Sequence, residues 1–129
     1  MLRRLTRTGR GSVLVVEDEP LVRMTAAEIF EGAGYRVHEA CNAAEAVAIL
    51  KARPDIGTVF TDIEMPGELN GLGLVDTICE HWPHLRVLVT SGRGVPADRP
   101  LPIGVGFIGK PYRGKQVLAE IQALNPLGQ

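Results

Sequence analysis

Carboxylates follow directly after two apolar stretches of the chain that read as buried strands. Residues 13–16 run into Glu17 and Asp18, and residues 58–61 run into Asp62. If both stretches are parallel strands of one sheet, these carboxylates converge at one of its edges. Such a cluster repels itself unless a cation or a proton lies among its members. The residue types therefore indicate a site for a hard metal ion.

A lysine and a serine add to this chemistry. Lys110, followed by Pro111, comes directly after another short apolar stretch, so it is predicted at the same edge as Asp62. Ser91 also follows an apolar stretch and brings a hydroxyl group. Carboxylates that hold a metal ion, together with one compact positive charge, are suited to a phosphoryl group. We therefore interpret this edge as the functional site.

The elements that position these residues alternate along the chain. Apolar or β-branched runs predict five strands, at residues 13–16, 35–40, 58–61, 86–90 and 105–108. Apolar residues at helical spacing follow most of these runs, and Asn42 with Glu45 three residues later predicts a capped helix start. This alternation is typical of an α/β fold, a doubly wound parallel sheet with helices on both faces.

Composition limits the classes of function. The 129 residues have the length of one domain, and the net charge of −1 gives no reason to expect nucleic acid or a membrane as a partner. No stretch approaches the roughly 18–20 apolar residues of a transmembrane helix. The separated Cys41 and Cys79 suit reduced thiols in the cytoplasm. Residues 1–11 carry four arginines and no acidic residue, which predicts a basic, disordered tail before a folded domain at 12–129.

Four short motifs resemble the receiver domain of bacterial response regulators, over about residues 12–124. They are Val-Val-Glu-Asp at 15–18, Asp-Ile-Glu-Met-Pro at 62–66, Thr-Ser-Gly at 90–92 and Phe-Ile-Gly-Lys-Pro at 107–111. The resemblance implies a flavodoxin-like sheet of five parallel strands in the order 2-1-3-4-5. It implies a protein that takes a phosphoryl group from a histidine kinase or a histidine phosphotransfer protein and then changes its contacts with a downstream protein. Such a protein is no enzyme beyond its own phosphorylation and dephosphorylation.

The resemblance also implies a metal site. Asp62 would accept the phosphoryl group and share a Mg²⁺ ion with its neighbours. Asp18 would bind Mg²⁺ directly, Glu17 mainly through water, and Glu64 through its backbone carbonyl. Two carboxylates, a carbonyl and retained waters suit the octahedral oxygen coordination of this ion.

The remaining motif residues have implied roles in the response to phosphorylation. Ser91 and Lys110 would hold the phosphoryl oxygens, and Phe107 would change its rotamer on activation. The resemblance implies a cis peptide bond between Lys110 and Pro111, which would point the Lys110 ammonium toward Asp62.

One stretch departs from the family pattern. Receivers usually place a helix between the fourth and fifth strands, but here residues 92–104 contain Pro96, Pro100 and Pro102. A residue that precedes a proline is biased away from the helical region. We predict that this helix is short or missing, with at most one turn around residues 96–99, and that the segment is mobile.

Three alternatives stay open. Instead of a stand-alone response regulator, the chain could be a phosphorelay intermediate or the receiver fragment of a hybrid kinase. A metal-dependent aspartyl-phosphate phosphatase would also use a strand-end aspartate, but it normally has a second aspartate where this chain has Glu64, and a cap domain. An interaction module that has lost phosphorylation is disfavoured by the intact Asp62, Ser91 and Lys110.

Overall fold

A computed structural model describes residues 11–65, 67 and 70–128 of the chain. Its strands are β1 (Ser12–Val16), β2 (Arg36–Ala40), β3 (Ile56–Asp62), β4 (Arg86–Ser91) and β5 (Gly106–Gly109). Its helices are α1 (Pro20–Gly32), α2 (Ala43–Ala52), α3 (Gly71–His81) and α4 (Gly114–Ala123). None of these helices is long and apolar enough to cross a membrane. The predicted basic tail lies outside the described residues, apart from Gly11.

The five strands form one parallel sheet in the order β2-β1-β3-β4-β5, as predicted. In this order β3 lies between β1 and β4, so that Val16 pairs with Thr61 and Asp62 pairs with Thr90. Ser91, the next residue of β4, pairs with Gly109 of β5. The strand ends that carry polar residues therefore meet at one edge, which we call the carboxyl edge.

Apolar strands make a core on each face of the sheet. Cluster 1, on the face covered by α2 and α3, includes Leu14 and Val59; cluster 2, on the face covered by α1 and α4, includes Val13 and Phe60. Because successive side chains of a strand point to opposite faces, a strand buried on both faces must be apolar throughout. Burial on both faces explains the continuous apolar runs of β1 and β3.

Cluster 2 contains a row of aromatic rings that reaches the carboxyl edge. The Tyr35 and Phe30 ring centroids lie 5.5 Å apart, those of Phe30 and Phe60 5.7 Å, and those of Phe60 and Tyr112 5.4 Å. All three pairs meet edge to face, the arrangement that aromatic quadrupoles favour. The row ties α1, β3 and the segment after β5 into one packed unit.

The helix starts largely follow their sequence signals. Pro20 opens α1, and the Asn42 side chain caps α2 by accepting the Glu45 N–H at 2.8 Å. The Glu45 carboxylate in turn accepts the N–H of Cys41, at 2.8 Å. Asn42 has extended backbone, which leaves the N–H of the preceding residue within reach of this carboxylate.

No helix lies between β4 and β5, where all residues are described, and this prediction is confirmed. The backbone makes two isolated turns there, in which Arg99 N–H donates to Pro96 O and Val105 N–H donates to Pro102 O, each at 3.2 Å. Prolines lack the N–H that a helix interior needs and fix φ. The turn at residues 96–99 lies where the sequence predicts at most one helical turn.

Candidate functional site

Three carboxylates converge at the carboxyl edge, as predicted. Oxygen atoms of Glu17, Asp18 and Asp62 all lie within 4.8 Å of one another. Glu17 and Asp62 are each only 4% exposed, whereas Asp18 is exposed to solvent. The adjacency of β1 and β3 brings them together, since Glu17 and Asp18 follow β1 and Asp62 ends β3.

Lys110 is the cation of this cluster. Its ammonium donates to Asp62 Oδ2 at 2.7 Å and to Glu17 Oε1 at 3.0 Å. The Lys110–Pro111 peptide bond is cis, as predicted, and the Lys110 N–H donates to the Ser91 carbonyl at 3.0 Å. The two hydrogen bonds of the ammonium show that the side chain points toward the carboxylates.

Backbone groups hold the other oxygen of each buried carboxylate. The N–H of Glu64 donates to Asp62 Oδ1 at 2.7 Å, and the N–H of Glu19 donates to Glu17 Oε2 at 3.1 Å. Each carboxylate is thus held between one N–H of its own loop and the Lys110 ammonium. Hydrogen bonds to ionised groups are the stronger ones, so these contacts fix both carboxylate orientations.

Burial and charge change the proton affinities of the site. Burial raises the pKa of Glu17 to about 7, and the Asp62 charge adds to the rise, although bonds from Glu19 and Lys110 counteract it. Burial alone would lower the pKa of Lys110, but its hydrogen bonds to Asp62 and Glu17 outweigh this and raise that pKa above its ordinary value. Lys110 therefore stays charged, and the cluster carries more negative charge than one lysine neutralises.

The Glu17 carboxyl should make stability depend on pH. Its pKa is about 7 in the folded protein against an ordinary value of 4.5, so the folded state binds more protons between these values. Stability should therefore fall as pH rises through this window, by up to about 3 kcal/mol relative to Glu17→Gln. Urea unfolding of both proteins without divalent cations measures this. Parallel pH profiles for the two proteins would contradict the assignment.

Ser91 and Phe107 lie on β4 and β5, the two strands that follow β3 in the sheet. Ser91 is buried at the end of β4, and its Oγ accepts the N–H of Arg93 at 3.0 Å. Phe107 is half-buried and packs against cluster 1. Their roles in holding phosphoryl oxygens and in switching stay predictions.

The side chain of Glu64 has contacts that the sequence did not indicate. Its Oε1 accepts the N–H of Gly92 at 2.8 Å, and its Oε2 lies 3.4 Å from the guanidinium Nε of Arg93. The sequence predicts Glu64 only as a backbone ligand. The available signal is charge pairing, because an acid two residues after Asp62 and an arginine two residues after Ser91 lie on loops of adjacent strands.

Gly71 allows α3 to approach closely the end of β3, where Asp62 lies. A Cβ atom at this position would lie 2.2 Å from the Asp62 carbonyl oxygen and 2.3 Å from the Ile63 Cα. Any side chain would therefore displace the start of α3 from the end of β3. The absence of a side chain lets α3 begin directly against the acceptor strand.

The donor set fits a hard divalent cation. Three carboxylates supply only oxygen ligands, the type that Mg²⁺ prefers, and the exposed Asp18 leaves room for retained waters. Lys110 brings one positive charge to three carboxylates, which leaves negative charge that a bound cation would offset. The side chains thus support the coarser prediction of an acidic metal site.

Comparison with known proteins agrees with this geometry. The family profile of the response regulator receiver domain matches residues 13–122. The aerobic respiration control protein ArcA of Escherichia coli (strain K12) is 36% identical over 91% of this chain and 48% of ArcA. The sensor kinase CckA of Brucella abortus (strain 2308) is 31% identical over 91% of this chain and 13% of CckA. The chain thus spans about half or less of these relatives.

Solved structures show the same fold. The receiver domain of the hybrid histidine kinase CckA has a TM-score of 0.75 and 29% identity, covering 92% of this chain and all of that one. CheY from Borrelia burgdorferi, in a CheX–CheY–BeF₃–Mg²⁺ complex, has a TM-score of 0.76 and 27% identity, with 87% of each chain covered. The chain belongs to the response regulator receiver domain family and is a phospho-accepting domain of two-component signalling.

Proposed function

We propose that this receiver takes a phosphoryl group onto Asp62 from a histidine kinase or a histidine phosphotransfer protein. The observation that carries the proposal is the Asp62 carboxylate, which is 4% exposed and held by Lys110 at 2.7 Å and by the Glu64 N–H at 2.7 Å. A carboxylate so oriented at the carboxyl edge is set for in-line attack. Receivers generally take their phosphoryl group from histidine kinases.

The transfer exchanges one bond to phosphorus for another. An Asp62 carboxylate oxygen attacks the phosphorus of a phosphohistidine, the P–N bond breaks, and the imidazole leaves with its electron pair and takes a proton. The product is an acyl phosphate on Asp62. The Lys110 ammonium offsets negative charge on the phosphoryl oxygens, and the Ser91 hydroxyl is the nearby neutral donor.

The metal ion would be held by residues of the carboxylate cluster. We assign Asp18, Glu17 and Asp62 as carboxylate ligands, with Glu17 acting mainly through water, and the Glu64 backbone carbonyl as a further ligand. When bound, Mg²⁺ supplies positive charge that offsets repulsion between Asp62 and the incoming phosphoryl group. CheY of Borrelia burgdorferi, which shares the fold, has Mg²⁺ in its complex.

Replacing Asp18 tests this ligand set. Asp18→Asn should weaken Mg²⁺ binding by at least about tenfold, because an amide replaces a charged oxygen ligand. The exposed position of Asp18 keeps the fold intact. Calorimetric titration with Mg²⁺ measures the effect, and Glu28→Gln, an exposed acid on α1, is the matched control. Equal affinities of Asp18→Asn and the unmodified chain would remove Asp18 from the ligand set.

An apolar surface beside Lys110 supports a protein as the phosphodonor. Leu21 and Met24 of α1 are 77% and 53% exposed. Leu21 lines a depression of about 460 Å³ that also includes Lys110, Pro111 and Tyr112. A phosphohistidine side chain that reaches Asp62 would bring the rest of its protein over this surface. Exposed apolar residues beside a site are typical of protein contacts.

The proposal also includes the limits of the domain and its location in the cell. We assign residues 12–129 to the receiver and residues 1–11 to a separate basic tail. The exchange takes place between proteins in the cytoplasm, without nucleic acid or membrane as partners, which agrees with the net charge of −1. The domain acts as a signalling switch and not as an enzyme on other substrates.

A second arrangement is a phosphorelay intermediate or the receiver of a hybrid kinase. The match to the sensor kinase CckA over 91% of this chain favours it. In that case Asp62 would pass its phosphoryl group to a histidine phosphotransfer protein. Mixing the phosphorylated chain with such a protein distinguishes the two, since rapid transfer to histidine indicates a relay and a persistent label indicates a response regulator.

Labelling with a small phosphodonor tests the proposed function. With acetyl phosphate and Mg²⁺, the intact chain should gain the mass of one phosphoryl group, bound as a base-labile acyl phosphate. Labelling that is absent with Mg²⁺ would favour an interaction module. Rapid, multiple-turnover hydrolysis of phosphate esters would favour the phosphatase.

A further inference from the structure

The segment between β4 and β5, which we call the strap (residues 92–105), joins opposite edges of the sheet. Because β4 and β5 are parallel, the strap leaves the carboxyl edge after Ser91 and returns to the amino edge at Gly106. Leu101 and Val105 pack against cluster 1, on the face of the sheet that α2 and α3 cover. The strap therefore runs from the candidate site to the far side of the domain.

The first residues of the strap are attached beside the acceptor. The N–H of Gly92 donates to Glu64 Oε1 at 2.8 Å, and the Arg93 guanidinium lies 3.4 Å from Glu64 Oε2. The N–H of Arg93 also donates to Ser91 Oγ at 3.0 Å. Glu64 itself is bonded to Asp62 through its N–H. The Glu64 carboxylate, two residues from the acceptor Asp62, therefore holds the first residues of the strap, and we call it the upper anchor.

The C-terminal segment, residues 124–128, lies at the amino edge. The N–H groups of Leu127 and Gly128 donate to the carbonyls of Leu85 and Pro83, at 2.9 and 2.8 Å. The Arg86 side chain donates to the Leu124 carbonyl at 2.9 Å. These three bonds attach the segment to the residues at the start of β4.

The end of the strap meets this C-terminal segment directly. Gly104 has a φ of +93° and lies against Leu127, since a Cβ atom there would be 3.8 Å from Leu127 Cδ2. A Cβ atom on Gly106 would lie 2.9 Å from Leu124 Cδ2, closer than side chains permit. Leu124 and Leu127 thus contact the backbone itself, and a shift of the strap displaces them.

The middle of the strap is suited to carry such a shift. Pro96, Pro100 and Pro102 fix φ at three positions, so that a movement of the segment is carried along it more readily than along a loop without prolines. Arg99 pairs with Asp76 of α3. The middle therefore lies along α3, while a backbone hydrogen bond holds the first residue of the strap to Glu64.

We propose that the strap couples the phosphorylation state of Asp62 to the C-terminal segment at the opposite edge of the sheet. The inference rests on the proposed function. A phosphoryl group adds a charge of about −1.5 to −2, which repels the Glu64 carboxylate and competes with it for the Gly92 N–H and the Arg93 guanidinium. The strap then exchanges Glu64 for phosphoryl oxygens as its anchor, and its far end moves against Leu127.

Hydrogen exchange on the full chain tests the coupling. With acetyl phosphate and Mg²⁺, the amides of Leu127 and Gly128 should exchange at least about fivefold faster, the lower end of typical allosteric coupling. Intact mass of the same sample reports the labelled fraction. Unchanged exchange of these two amides in labelled protein overturns the coupling and leaves the assignment of Asp62 as acceptor standing.

A variant tests the same coupling without phosphorylation. Glu64→Ala removes the upper anchor and should accelerate exchange of the same two amides in the absence of phosphodonor. Ile103→Ala is the matched control, because Ile103 is on the strap but 98% exposed, and it should leave exchange unchanged. If the chain takes no phosphoryl group, the proposed function fails. Exchange in Glu64→Ala then still shows whether the Glu64 anchor is coupled to the C-terminal segment. Unchanged exchange in Glu64→Ala, or equal acceleration in Ile103→Ala, overturns the coupling.

Discussion

The Asp62→Asn protein is expected to fold and to take no phosphoryl group from acetyl phosphate. An amide is neutral and is not a nucleophile toward phosphorus, so labelling should fall by at least about a hundredfold. The amide that replaces the acceptor carboxylate keeps one oxygen, which can accept from Lys110 or from the Glu64 N–H but not from both, because these two donors bond to different oxygens of Asp62. Intact mass after incubation with acetyl phosphate and Mg²⁺ measures the labelled fraction.

Asp55→Asn is the matched control for this experiment. Asp55 directly precedes β3 at the amino edge, where its carboxylate accepts from Ser12 at 2.8 Å and from Arg53 at 3.2 Å. Labelling of Asp55→Asn should equal that of the unmodified chain. Undiminished labelling of Asp62→Asn would show that another residue is the acceptor.

Removal of the Lys110 charge should have the second large effect. Lys110→Met leaves Glu17 and Asp62 close together and buried without a cation, which should cost about 2 kcal/mol of folding stability near pH 8. Glu17, whose pKa is already raised to about 7 by burial, would then take up a proton more readily. The loss should therefore shrink near about pH 5.5. Urea unfolding at both pH values measures it.

Lys110→Arg separates charge from shape. Arginine keeps the positive charge and should restore part of the stability, but its planar fork does not replace a compact ammonium bonded to two carboxylates, so the response to phosphorylation should still be impaired. Lys115→Met, on the exposed surface of α4, is the control for the loss of a lysine charge. Equal stability of Lys110→Met and the unmodified chain near pH 8 would contradict the role given to the ammonium.

Regular structure made much of the site predictable from the sequence. The apolar runs of β1 and β3 are continuous because both faces of these strands are buried, and their ends fix where Glu17, Asp18 and Asp62 must lie. The position of Lys110 follows in the same way from β5. The missing helix was predictable because prolines act locally, through φ and the absent N–H.

Contacts between irregular segments could not be predicted in this way. The bonds from Gly92 and Arg93 to the Glu64 side chain join two loops that have no repeating pattern. Leu124 and Leu127 lie at or beyond the end of α4, and their packing depends on the strap, which itself has no periodicity. Such contacts are decided by tertiary structure, which short-range patterns do not encode.

The row of aromatic rings from Tyr35 to Tyr112 makes the two faces of the domain unequal. Interlocked rings hold α1, β3 and the segment after β5 together on one face, whereas the other face carries the proline-rich strap. We expect the exposed Leu21 and Met24 to present the same surface before and after phosphorylation. A phosphodonor would then recognise both states equally, and discrimination between them would fall to proteins that read the opposite face.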